Sequence, residues 1–139
     1  MKINYVAALV VILVISLTGC GPKEKTLTGA DQEAVLAFSE AKTDNLLAGM
    51  NANDYAAFSK DFDKDMLNAM TRSRFDVLKK DRDAKLGPYV SRQVNSVVQV
   101  GDFYAVIYDA VFEKDEAVMI RVVFRIAEQH EVSGLWFNK

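Results

Sequence analysis

The apolar positions of this chain change period once, and that change divides it into two halves. From Ala30 to Met50 they recur at helical spacing: Val35, Leu36, Ser39, Thr43, Leu46, Leu47 and Met50 fall within one arc, with Phe38 on its flank. Ser39 and Thr43 are polar but small enough to stand where a helix meets a sheet. Thr28 or Asp31 is placed to cap the start, and Gly49 with Asn51 to mark the end. Asn53-Asp54 then opens a short second segment carrying Tyr55 and Phe58. Asp63 reads as the cap of a third helix with Met66, Leu67 and Met70, and Thr71 as the cap of a fourth through Phe75, Leu78 and Arg82. Leu86-Gly87-Pro88 stops helical structure, since proline lacks the N–H that a helix interior needs.

After Pro88 the period is 2. Val90, Val94 and Val98 alternate with Ser91, Gln93 and Asn95, while Phe103 to Phe112 and Val118 to Ile126 are rich in β-branched and aromatic residues. Val132 to Phe137 closes the chain. Gly101-Asp102, Lys114-Asp115-Glu116 and Glu128-Gln129-His130-Glu131 are turn material between them. Helices followed by four strands on short turns predict an α+β domain, its helices packed on one face of a curved four-stranded antiparallel sheet.

Alternation also predicts a register. Tyr104, Val106, Tyr108, Ala110 and Phe112 share one face of their strand, and Val118, Ile120, Val122, Phe124 and Ile126 one face of the next. Both sets are apolar or aromatic, so both belong under the helices. Even-numbered residues must then pair with even, which takes an odd-length turn or a bulge. On that register Asp109 stands opposite Arg121 on the outer face. A four-residue turn at 128–131 places Leu135 and Phe137 under the helices. Trp136 falls outside, beside Val123 and between Arg121 and Arg125. Ile107, Asp109, Arg121, Val123, Arg125 and Trp136 together form a candidate outer-face interaction patch, an exposed tryptophan flanked by arginines.

The N-terminus has a different character. Val6 to Leu17 is an unbroken run of about a dozen mostly apolar residues, short for a span of roughly 30 Å of hydrocarbon and suited to a signal segment. It ends in Leu17-Thr18-Gly19-Cys20, which resembles the lipobox of prokaryotic lipoproteins. That resemblance implies a diacylglyceryl thioether on Cys20 and cleavage before it. Residues 1–19 would then be a signal peptide, 20–29 a tether from the lipidated cysteine, and 30–139 a single domain. Two or more acyl chains anchor stably where one does not. Cys20 is the chain's only cysteine, so it has no partner for an internal disulfide. The expected location is exported, lipid-anchored to the outer face of the cytoplasmic membrane or to the outer membrane.

The order of elements, the Asn51-Ala52-Asn53-Asp54-Tyr55 turn, the Leu86-Gly87 break and the final Gly134-Leu135-Trp136-Phe137 resemble the nuclear transport factor 2-like (cystatin-like) cone fold. More narrowly, they are similar to an uncharacterised family of that superfamily found in prokaryotic lipoproteins. The resemblance implies helices covering one face of a curved sheet around a pocket. Some members use that pocket for isomerase or dehydratase chemistry and others for binding. The nearest equivalents are Tyr104 and Tyr108, the candidate pocket residues; Asp109 alternates to the opposite face of their strand.

Composition narrows the remaining chemistry. With 17 basic against 19 acidic residues and a net charge of −2, the chain lacks the basic stripe that nucleic acid requires. Asp61, Asp63 and Asp65 alternate like a calcium loop, but Met66 and Arg72 stand where its glycine and bidentate glutamate belong. A helix cap with solvated acids accounts for them. His130 is the only histidine and sits in a polar turn, without the shielded, positioned partner that a general base needs. The Arg72, Arg74, Lys79, Lys80 and Arg82 run is interrupted by acids and reads as a solvated helix face. The sequence therefore points to no metal, cofactor or catalytic residue. It supports a lipid-anchored binding or interaction module whose partner is the membrane plus a small ligand, a peptide or a second copy. The alternatives are a small-molecule enzyme in the cone pocket and a purely structural subunit.

Overall fold

A computed structural model describes residues 21–139 other than Glu128, so the expectations for the signal segment and Cys20 lie outside the described residues. The chain runs β1 (Glu24–Leu27), α1 (Gly29–Asn51), α2 (Tyr55–Ser59), α3 (Lys64–Ala69), α4 (Arg72–Lys85), β2 (Tyr89–Val100), β3 (Phe103–Phe112), β4 (Asp115–Arg125) and β5 (Val132–Asn138). All three short helices begin where a side chain can cap them. Asp54 accepts the Ala57 N–H at 3.1 Å, Asp63 the Met66 N–H at 2.7 Å and Thr71 the Arg74 N–H at 3.4 Å.

The sheet is an open antiparallel meander in the order β1-β2-β3-β4-β5. It has five strands where the sequence suggested four. Glu24–Leu27, expected as part of an irregular tether, pairs with Val97–Val100 of β2. A stretch with Gly, Pro and charge around it carries no strand period of its own; the exposed upper edge of β2 supplies the pairing. Leu27 is thereby buried in the main core.

The helices cover one sheet face. Val35, Leu46, Leu47 and Met50 of α1, Phe58 of α2, Met66 of α3 and Phe75 of α4 pack with Val106, Tyr108, Phe112, Ile120, Val122 and Phe124 into one buried cluster. Gly49 is a packing residue rather than a helix stop. A Cβ there would stand 2.8 Å from Phe58 Cα and 2.9 Å from Ala57 C, because α2 crosses directly over it.

Bulges decide which residues face the helices. In β2 the register shifts at Val90 and at Asn95. Val94 and Val97 therefore face the core, Val98 faces outward, and Val90 is 57% exposed. The alternation of Val90, Val94 and Val98 suggested a single face for all three; a bulge adds one residue and reverses the parity beyond it. Between β3 and β4 the expected even pairing holds, achieved by a two-residue turn at Glu113-Lys114 and a bulge in β4 between Asp115 and Val118. The pairing is shifted by two residues from expectation. Asp109 faces Met119, and Arg121 faces Ile107, so the proposed Asp109–Arg121 pair is not formed. Asp109 instead accepts from Asn95 Nδ2 at 3.0 Å.

Candidate functional site

The interior under α1 is filled. Tyr108 projects from β3 into it, fully buried, and its hydroxyl donates to Glu40 Oε1 at 2.7 Å and lies 3.2 Å from Thr43 Oγ1. Arg92, facing the same space from β2, pairs with Glu40 at 3.2 Å and Asp44 at 2.6 Å, and its guanidinium lies 4.9 Å above the Tyr108 ring. Burial pushes the Tyr108 hydroxyl well above the ordinary tyrosine value, and the Glu40 carboxylate that accepts its proton adds to this. Burial alone would lower the Arg92 guanidinium, but its bonds to Asp44 and Tyr89 and the charge of Glu40 hold it above its ordinary value. A hydroxyl so placed stays protonated and bonded; it ties helix to sheet. Arg92, Glu40 and Asp44 escaped the sequence reading. Their one local signal was the i, i+4 pair of acids on the flank of α1, a like-charge spacing that a cation opposite relieves.

Tyr104 is separated from Tyr108. It lies at the end of the sheet in a shallow cavity of about 260 Å³, with Leu27, Phe38, Gln99 and His130. His130 is half-buried rather than solvated as expected. Its ring stacks on Phe38 at 3.9 Å between centroids, and its Nδ1 lies 3.1 Å from the Arg125 carbonyl. Lys42 donates to the carbonyls of Gln129 and His130, closing the β4–β5 turn onto α1. Phe38 and Lys42, one helical turn apart, hold this turn, which sequence proximity does not reveal.

The outer sheet face carries a second, smaller cluster of Val98, Ala105 and Ile107, with Val100 and Val123 packed against it. The described helices contribute nothing to it. Trp136 is 50% exposed, directly opposite Arg121 rather than between the two arginines. Its indole folds back over Gly134, where a Cβ would collide with the ring, and lines a shallow cavity together with Val123 and Arg125. Leu135 and Phe137 face the helices, as the alternation requires. Ile107, Arg121, Val123, Arg125 and Trp136 therefore share a face; Asp109 shares it but stands apart, beside Asn95.

Asp63 does more than cap α3. It is 2% exposed and accepts from Arg125 Nε at 2.6 Å and from Ser133, so it ties α3 to β4 and β5. Burial alone would raise its carboxyl; the bonds from Ser133, the Met66 N–H and Arg125 reverse this and hold it below the usual carboxylate range. Asp61 accepts from Asn45, whereas Asp63 and Asp65 share Arg125, so the three alternating acids do not converge on one point. Arg82, expected on a solvated face, is buried at 3% exposure with its guanidinium on Asn51 and Asp83. Its neighbours do form an exposed i, i+4 ladder, Arg72–Asp76 and Lys85–Asp81.

Residues 43–135 match the model of a family described as a protein of unknown function (DUF3887). The chain belongs to that family. No curated protein and no solved structure matches it. The family span runs from Thr43 in the middle of α1 to Leu135 in β5. It takes in the Thr43–Tyr108 contact and the Asp63 cluster, and it ends one residue before Trp136.

Proposed function

We propose that this protein is a lipid-anchored interaction module that binds a partner through the outer face and edge of its sheet. In this reading the fold is a filled form of the nuclear transport factor 2-like cone, and Cys20 carries the anchor. The observation that carries the reading is the contrast between the two faces. The helix-covered side buries its large side chains and ties the Tyr108 hydroxyl to Glu40 and Thr43. The end cavity holds about 260 Å³, at the low end for a small-molecule pocket. The outer side exposes Trp136 and Met119 beside the half-buried Val123 and Arg121. Tryptophan and arginine around an apolar centre are the residue types that dominate interaction hot spots.

Photo-crosslinking in the intact anchored chain tests this. A benzophenone side chain placed at Trp136 is expected to give a discrete protein adduct, and the same group at Tyr104 none. Adducts from Tyr104 alone would move the function to the end cavity. The anchor is tested separately: Cys20→Ser is expected to abolish incorporation of a fatty-acid probe and to release the protein from membranes. Equal labelling of both forms would remove the lipid from this reading.

A further inference from the structure

A groove of about 300 Å³ runs between α4 and the free edge of β5. Leu78, Asp81 and Lys85 form its helical wall, and Leu135, Trp136 and Phe137 lie along its strand side. The two ends of β5 differ. At Val132 the edge is already occupied, because the Val132 N–H donates to the Asp61 carbonyl at 2.8 Å and the Asp63 N–H to the Val132 carbonyl at 2.9 Å. Phe62 thus forms a parallel bridge with Val132 before the chain leaves as α3. From Gly134 to Asn138 the backbone pairs with β4 only, among the described residues. This stretch spans about 17 Å, enough for four or five residues of an added strand.

The opposite sheet edge is built differently. Along β2 the stretch not covered by β1 carries two bulges, at Val90 and Asn95. The Asn51 side chain donates to the Tyr89 carbonyl at 2.8 Å and accepts the Tyr89 N–H at 3.0 Å, satisfying that end. Bulges and side-chain caps are how proteins blunt an edge against further pairing. The single bulge of β5 lies at Ser133, before the free stretch, and Gly134 to Asn138 is regular.

We infer that β5 accepts an extended segment of another polypeptide as a sixth strand, seated in the α4 groove. The inference rests on the interaction-module reading and names its partner class. Main-chain bonds along Gly134–Asn138 would continue the pairing that Asp61–Asp63 begins at Val132. Alternate side chains of the incoming strand would meet Leu78 and Phe137 on one side and Trp136 on the other, so apolar residues at every second position suit it.

Trp136 is the chain's only tryptophan, so its fluorescence reports this groove directly. The probe is a pool of decapeptides alternating threonine with Val, Ile, Leu or Phe, with a matched pool N-methylated at alternate residues. The unmethylated pool is expected to shift Trp136 emission and to slow amide hydrogen exchange within residues 134–138. The methylated pool, unable to donate along one edge, should bind at least about tenfold more weakly. Asp81→Phe, a substitution at an exposed helix position that narrows the groove, should weaken binding comparably. Equal binding of both pools, or protection that appears along β1 and β2 instead, overturns the inference. No binding at millimolar peptide does so too. A crosslink from Trp136 without peptide protection of 134–138 would leave the interaction module standing and refute only the added strand.

Discussion

Asp63→Ala is expected to destabilise the domain by about 2–4 kcal/mol, because removing one member of a buried, charge-assisted cluster strands the others. The Met66 N–H loses its cap, Ser133 loses its acceptor and the Arg125 guanidinium loses its closest carboxylate. Asp63→Asn keeps the shape without the charge and should cost less. The same carboxylate gives an acid dependence of known sign. Its folded value lies below the 3.8 of the unfolded chain, so its stabilisation is fully present above that pH. It is lost as pH falls through the lowered folded value. Urea denaturation of wild type and Asp63→Asn between pH 6 and pH 2 checks this. The gap between them should be widest at neutral pH and close in acid; a gap independent of pH would show that the charge contributes nothing.

Gly49→Ala separates packing from helix propensity. On propensity alone, alanine inside a helix is favoured over glycine by about 1 kcal/mol. Here the added Cβ meets the α2 backbone at Phe58 and Ala57, which no rotamer change can relieve. The expected net result is a loss of about 1–3 kcal/mol, the usual scale of overpacking. Ala48→Gly, one residue earlier on the exposed side of α1, removes only propensity and should cost about 1 kcal/mol. Thermal unfolding of the two variants gives the ordering. A stabilised Gly49→Ala would mean that α1 and α2 do not approach as closely as described.

Local features of the sequence were sufficient wherever the cause is local. Asp54, Asp63 and Thr71 start helices because a side-chain oxygen three residues before a free N–H caps it regardless of tertiary context. Even-with-even pairing of β3 and β4, and the opposite orientations of Leu135 and Trp136, follow from alternation and from the need to bury Tyr108, Ile120 and Phe124. Tertiary structure decided what alternation cannot express. Bulges at Val90, Asn95 and Ser133 insert single residues whose presence depends on the partner strand, so they reversed the faces of Val97 and Val98 and set Arg121 against Trp136. Glu24–Leu27 is a strand only because β2 offers it an edge along Val97–Val100. Asp63 read only as a helix cap and Arg82 as solvated surface charge, since the sequence shows their neighbours along the chain but not Ser133, Arg125 or Asn51 brought against them from 31 to 70 residues away. Burial of a charge is a property of the packed molecule, where the partners that offset its desolvation arrive from other elements.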